Sequence, residues 1–269
     1  MSRSFHFIPA DNNKFLEKAK GINTDILIYD LEDAVPNTNK NLARDNISKL
    51  NLQTNKAFIR INSFDSNWIE EDLKLVKSLS SEVGLVLPKT QSIEDIISIQ
   101  RQLERETRVI PLIEDFASLA KCIEFLKHPM IFAAGLGVED LLSHLPYSND
   151  NLDLLIDNLR FDLIKYSNAC GVMPIDLIST ETEDMKSFQS ECLKARYMGF
   201  TSKFSIHPNQ LKTINNIFSP TKKEIEWAKN ILDHSKDENS GYKMHSDGVL
   251  TTPPKIKKAL NILQYEERN

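Results

Sequence analysis

The stretch LIYDLED, residues 27–33, sets four apolar or aromatic side chains (Leu27, Ile28, Tyr29, Leu31) beside three carboxylates, Asp30, Glu32 and Asp33. The apolar run reads as a buried strand. A carboxylate at the buried end of a strand is costly unless something pairs with it, so three of them call for a cation or a strong hydrogen-bond donor. The same arrangement recurs along the chain. Runs that read as strands are SFHFIP (4–9), DILIYDL (25–31), AFIRIN (57–62), GLVLPK (84–89), RVIPLI (108–113), MIFAAGL (130–136), MPIDLI (173–178) and KFSIHP (203–208), each followed by a stretch that reads as a helix. Near-continuous apolar strands alternating with helices imply right-handed βαβ units and a parallel sheet covered on both faces.

Eight such units in 269 residues point to a closed (β/α)8 TIM barrel with additional C-terminal helices. The alternative, an open doubly wound sheet, usually shows a glycine-rich phosphate loop. This chain has eight glycines and neither a GxGxxG nor a P-loop motif. Helix signals agree: Ser92 with Asp95, and Thr221 with Glu224, form capping-box patterns. In 115–127 a 3.6-residue period groups Phe116, Leu119, Ala120, Ile123 and Leu126 on one expected buried face. The barrel is expected over residues 1–220. A helical extension, 221–269, holds helices at 222–233 and about 254–265, joined by the polar stretch 235–248, read as a mobile connector or lid.

Bulk composition narrows the function classes. A formal charge of -5 offers no global field for nucleic acid or an anionic membrane. The apolar runs are too short to span a bilayer, and the N-terminus carries no extended apolar signal region, so a cytoplasmic protein is expected. Three isolated cysteines and six scattered histidines give neither a disulfide framework nor a structural zinc motif.

Charge gathers instead at the C-terminal ends of the strands: Asp30, Glu32 and Asp33; Arg60 and Asn62; Lys89; Glu114 and Asp115; Glu139 and Asp140; and His207. In a barrel these ends converge on the face that carries active sites. Each also has a plainer role. Asp115 and Asp140 suit helix starts, His207 reads as a satisfied histidine under the barrel mouth, and Trp68 and Trp227 read as core or interface aromatics. Taken together, Glu114 and Asp140 supply the two hard oxygen ligands that Mg2+ needs beside water and substrate oxygens. Arg60, embedded between Ile59 and Ile61, wants a carboxylate or phosphate partner. Glu32 and Asp33 are expected as its partners or as acceptors for metal-bound water.

The sequence resembles the citrate lyase β-subunit-like group of the HpcH/HpaI aldolase superfamily, which includes malyl-CoA and citramalyl-CoA lyases. The resemblance is carried, over nearly the whole chain, by RSFHFIPADNNKFLEKA (3–19), DLEDAV (30–35), IRIN (59–62) followed by Trp68, GLVLPK (84–89), PLIE (111–114), GVEDL (137–141), ARYMGFTSKFSIHPNQ (195–210) and FSPTKKEIEWAKNIL (218–232). It implies a trimeric or hexameric barrel that makes or breaks a carbon–carbon bond beside a carbonyl with Mg2+, Mn2+ substituting. It implies Glu114 and Asp140 as metal ligands, Arg60 orienting the substrate carbonyl and carboxylate, Glu32 and Asp33 lining the site, and Arg3 and Lys18 contacting CoA phosphates. The expected reaction is cleavage of a 3-hydroxyacyl-CoA into an acyl-CoA and a 2-oxo acid, with the base either a metal-bound water or a carboxylate of the Glu32/Asp33 pair.

Three departures stand out. Ala10 replaces the glycine that follows the first strand's proline, and Asn12 stands where some members carry arginine. In GVLTTPP (248–254), Thr252 falls where the lyases have an aspartate that reaches a neighbouring subunit's site. A threonine cannot act as a carboxylate. The alternatives are therefore an aldolase acting on a free hydroxy-oxo acid without CoA, and a non-catalytic metabolite-binding homologue.

Overall fold

In this computed structural model, residues 2–52, 54–146, 152–235, 243–244 and 250–266 are described. The chain forms two compact units, residues 2–215 and 216–269. In the first, eight parallel strands run in the order β7-β6-β5-β4-β3-β2-β1-β8. They are β1 (Ser4–Pro9), β2 (Ile26–Asp30), β3 (Ala57–Arg60), β4 (Gly84–Leu87), β5 (Val109–Ile113), β6 (Ala133–Leu136), β7 (Met173–Pro174) and β8 (Lys203–Ser205). The two edges meet through a parallel bridge between Asp176 and Lys203, where Asp176 N donates to Ser202 O at 2.9 Å and Phe204 N to Asp176 O at 3.0 Å. All eight strands read from the sequence are present.

Helices α1 (Asn13–Ala19), α2 (Lys40–Ser48), α3 (Ile69–Ser78), α4 (Ile93–Leu103), α5 (Phe116–Lys121), α6 (Ile123–Leu126), α7 (Val138–Ser143), α8 (Asp153–Ala169), α9 (Met185–Met198) and α10 (Pro208–Ile217) follow the strands. Ser92 and Asp95 close the expected capping box on α4. The stretch 115–127 differs from its reading. It breaks at Cys122 into α5 and α6, and its buried residues are Ser118, Leu119, Cys122, Phe125 and Leu126. Phe116 is 38% exposed.

One core cluster gathers Phe5, Ile26, Ile28, Phe58, Val86, Ile110, Leu112, Ala133, Ile175 and Phe204, alternate residues of successive strands. Period-two alternation puts these on the inner face of the curled sheet. Small residues make room for the large ones: a Cβ on Gly84 would lie 2.3 Å from Phe58 Cε1. Continuing the alternation one step past the core brings up Asp30, Arg60 and Glu114, so the pattern that buries the core also aims these side chains above it. At the seam Lys203, fully buried, donates to Asp176 Oδ2 at 2.7 Å, to Leu177 O at 2.6 Å and to Glu191 Oε1 at 2.8 Å. Arg160 reaches the other oxygen of Asp176 at 2.8 Å.

In the second unit, α11 (Lys222–Ser235) and α12 (Pro253–Glu266) pack through Ala228, Ile231 and Ala259, with Trp227, Leu232, Ile256, Ile262 and Leu263 around them. A short antiparallel pair joins β9 (Lys243–Met244) and β10 (Leu250–Thr251). Thr221 and Glu224 form the expected reciprocal cap. Thr252 starts α12, its Oγ1 accepting from Lys255 N at 3.4 Å and its carbonyl from Ile256 N at 3.0 Å. Most of the stretch read as a connector, 235–248, lies outside the described residues. No helix among the described residues is long and apolar enough to cross a membrane.

Candidate active site

The acidic cluster of 27–33 divides by partner. Asp30 and Arg60 are register partners at the ends of β2 and β3. Arg60 Nε donates to Asp30 Oδ1 at 2.7 Å and Nη2 to Oδ2 at 2.5 Å, a bidentate pair with Asp30 buried. The same carboxylate accepts from Glu32 N at 2.9 Å and Ala34 N at 3.4 Å, which folds the loop back over the strand end. Arg60 Nη1 lies 3.1 Å from Glu32 Oε2 and 3.8 Å from Asp33 Oδ2. The Glu32 contact lacks hydrogen-bond alignment, and Oε2 is left buried without a hydrogen-bond partner. The guanidinium also stacks 5.0 Å from the centre of the Phe7 ring. Asp33, by contrast, is exposed.

A second network holds this loop from below. Lys40, buried on α2, donates to Leu31 O at 2.7 Å, Glu32 O at 2.8 Å and Asn62 Oδ1 at 2.8 Å. Asn62 donates to Leu31 O at 3.0 Å and to Asp72 Oδ2 at 2.6 Å, and Arg44 pairs with the other Asp72 oxygen at 2.8 Å. Arg44 lies 5.4 Å from the Trp68 ring centre. Trp68 lines a cleft of about 550 Å3 together with Glu32, Asp33, Asn62, Asp65 and Lys89.

A neighbouring cleft of about 450 Å3 contains Glu114, Asp140, Phe116, His144 and again Lys89. Glu114 directly follows β5, buried, with Oε2 lacking a hydrogen-bond partner. It lies so close to Gly137 that a Cβ there would sit 2.6 Å from Glu114 Cγ. Asp140 stands in the first turn of α7. Burial, then the charges of Glu32 and Asp140, push the Glu114 carboxyl up to about 8. Burial also raises Glu32, to about 7, with Arg60 pulling the other way and Asp33 adding to the rise. Two buried carboxylates are thus held above their ordinary range by burial, each with an oxygen that lacks a hydrogen-bond partner, although Arg60 and Lys89 stand close by. Among the described residues no group of three or more His, Cys, Asp or Glu could hold a metal ion by itself. Glu114 and Asp140 offer two oxygen donors, which fits a cation that keeps several waters.

The other residues singled out in the sequence lie elsewhere. Arg3 precedes β1, at the opposite end of the strands from this cleft, and grips Asp25 through Nε at 2.8 Å and Nη2 at 2.9 Å. Lys18 is exposed in the last turn of α1. Asn12 caps α1 through Lys14 N and Phe15 N, and Ala10 is buried with its N donating to Asp30 O at 3.1 Å. Asp115 caps α5, accepting from Ser118 N at 2.8 Å. His207 is half-buried, its Nδ1 accepting from Asn209 N at 3.3 Å. In the sequence Asp30 stands in the acidic run without being matched to Arg60 as its main partner, and Lys40 and Asp72 are not singled out. Asp30 was legible as the strand-end neighbour of Arg60. Lys40 and Asp72 carry no local signal, because their partners are 8 to 28 residues away.

The model of the HpcH/HpaI aldolase/citrate lyase family matches residues 3–208. The chain belongs to that family, a family of enzymes. It is 30% identical over 268 residues to a (3S)-malyl-CoA thioesterase of Cereibacter sphaeroides, covering 97% of this chain and 91% of that protein. It is 30% identical over 286 residues to the mitochondrial citramalyl-CoA lyase of Homo sapiens, covering 96% and 84%. Among solved structures, the CitE protein of Mycobacterium tuberculosis in complex with magnesium, acetoacetate and coenzyme A superposes with a TM-score of 0.82, at 23% identity over 99% of this chain and 98% of that one. That likeness establishes the shared fold.

Proposed function

We propose that this protein is a Mg2+-dependent carbon–carbon lyase that cleaves a 3-hydroxyacyl-CoA into an acyl-CoA and a 2-oxo acid. The observation that carries the reading is the unpaired oxygen of Glu114, buried in the same cleft as Asp140 and close to the Arg60–Glu32 pair. A buried carboxylate without a partner is expensive, and a divalent cation would offset that cost. Glu114 and Asp140 would hold the ion. When bound, it supplies Lewis-acid stabilisation of oxygen charge developing on the substrate.

The chain's own residues do the rest. Glu32, raised toward neutrality by burial, takes the proton of the substrate's 3-hydroxyl, the task for which a base near pH 7 is suited. The C–O bond becomes C=O as the carbon–carbon bond next to it breaks. The electron pair passes into the thioester enolate, and a proton returned to its carbon gives the acyl-CoA. Arg60, fixed by Asp30, keeps Glu32 in place and turns its remaining N–H bonds toward the oxygen that becomes the carbonyl of the 2-oxo acid. CoA phosphates are assigned to basic groups including Lys18. By resemblance the enzyme works as a homo-oligomer, a trimer or hexamer, and the sequence reading places it in the cytoplasm.

Product analysis tests the reading. Purified protein given malyl-CoA or citramalyl-CoA should release acetyl-CoA with glyoxylate or pyruvate, one for one. Free CoA with intact malate or citramalate would instead make it a thioesterase, and no turnover of either ester would favour cleavage of a free hydroxy-oxo acid.

A further inference from the structure

Lys89, in the turn two residues past β4, has a backbone conformation that residues with a side chain rarely adopt. Its φ is 49°, in the left-handed region, where a residue with a Cβ is strained and is kept only when the surroundings enforce it. The other non-glycine residue of this kind among those described is Glu104, an ordinary left-handed helix cap on α4. Lys89 caps nothing. The turn around it is pinned instead by Thr90, whose N donates to Leu112 O at 3.1 Å and whose Oγ1 donates to Leu87 O at 2.9 Å.

The turn delivers the Lys89 ammonium to the wall shared by both clefts. Its one ion pair within 4.0 Å among the described residues is with Glu32 Oε1, at that limit; Asp140, Asp33 and Glu114 act on it from further off, and its side chain remains 44% exposed. Arg60 offers a contrast. Two of its nitrogens are committed to Asp30, a third faces Glu32, and its side chain is only 14% exposed. Of the three cations described at this face, Arg60 is spent mainly on holding carboxylates of the protein and Lys40 on Leu31 O, Glu32 O and Asn62 Oδ1, while Lys89 makes no hydrogen bond among the described residues closer than its 4.0 Å contact with Glu32 and is the most exposed.

We infer that Lys89 is the residue that receives the carboxylate of the 2-oxo acid half of the substrate, with Arg60 chiefly a positioning residue for Glu32. The inference rests on the lyase reading above, and it adds a binding residue that the reading does not require. It also accounts for the strain, since the turn is held so that the ammonium faces the cleft, at some cost in stability.

Ligand-observed NMR titration of pyruvate in Mg2+ buffer, without any CoA ester, tests this apart from turnover. Methyl pyruvate, which lacks the carboxylate charge, is the control. Loss of a charge-assisted hydrogen bond should weaken pyruvate about tenfold to a hundredfold in Lys89→Met, leave methyl pyruvate unchanged, and be largely restored in Lys89→Arg. Lys89→Gly relieves the left-handed strain, so it should melt at an equal or higher temperature than wild type while binding pyruvate as poorly as Lys89→Met. Pyruvate binding by both charge-removing variants within twofold of wild type would overturn the inference and leave the lyase reading standing. Wild-type protein that binds neither ligand would overturn both.

Discussion

Asp30 and Arg60 occupy the same register at the ends of two adjacent parallel strands, and both guanidinium-to-carboxylate bonds of the pair close at 2.5–2.7 Å. This pair is the base on which the rest of the cleft stands, because the same Asp30 oxygens also accept the loop amides of Glu32 and Ala34. Replacing Asp30 by Asn removes one partner of a buried ion pair and leaves the guanidinium uncompensated. The expected loss is about 3–5 kcal/mol of unfolding free energy, read as a lower midpoint in urea. A loss below about 1 kcal/mol would mean that Glu32 and Asp33 take over the pairing.

Gly137 shapes Glu114 by having no side chain. Its φ of -93° suits any residue, so Gly137→Ala brings no backbone strain. The new methyl would nevertheless stand 2.6 Å from Glu114 Cγ and 2.8 Å from Oε1. The carboxylate has to move. Mg2+ affinity should fall on the order of tenfold or more, as it does when the support of a metal ligand is disturbed, while the melting temperature in EDTA changes little. Calorimetric titration of Mg2+ into both proteins checks this.

The fold was legible because its signal is repeated. Eight strands buried on both faces cannot be written without eight apolar runs, and charged residues stand at the C-terminal ends of six of them. The helix after β5 shows where local pattern fails. Counting from Phe116 at 3.6 residues puts that residue inside, yet the chain breaks at Cys122, the inward face starts at Ser118 and Leu119, and Phe116 faces the cleft beside Glu114. The site was half legible. Strand-end position gathered Asp30, Glu32, Arg60, Lys89, Glu114 and Asp140, but which carboxylate would take the arginine depended on register between β2 and β3. Lys40, Asn62 and Asp72 form one network from three separate elements, and nothing in a single stretch of sequence marks such a convergence.

Stability should respond to pH through Glu114 in a direction that acid denaturation usually does not. The carboxyl titrates near 4.5 in an unfolded chain and about 8 in the fold, raised by burial and then by Glu32 and Asp140. Between those values the native state keeps a proton that the unfolded chain has released. Its contribution is therefore fully present below pH 4.5 and is lost as pH rises to 8, at up to about 1.4 kcal/mol per unit. In EDTA, the difference in unfolding free energy between wild type and Glu114→Gln should shift against wild type across that window. Mg2+ should raise the melting temperature more at pH 8 than at pH 5, since its ligands must be deprotonated.

His6 acts in the opposite sense at lower pH. It is buried beside Ser205 Oγ at 3.1 Å, and burial lowers its pKa from about 6.5 to about 4. Below pH 6.5 the unfolded chain binds a proton that the native state refuses, so stability is lost as pH falls from 6.5 to 4. The loss is on the order of 3 kcal/mol. Denaturant melts of wild type and His6→Gln at pH 7 and pH 4.5 should show a smaller acid penalty in the variant. Equal penalties would remove His6 from the account.

The most direct test of the lyase reading follows 2-oxo acid release from citramalyl-CoA by three samples: wild type in Mg2+, wild type in EDTA, and Glu114→Ala in Mg2+. Steady release of pyruvate is expected in the first and a drop of at least a hundredfold in the other two, with circular dichroism of the variant unchanged. Release at the same rate in EDTA, or by Glu114→Ala, would contradict the assignment of Glu114 and Asp140 to a metal at the heart of the reaction.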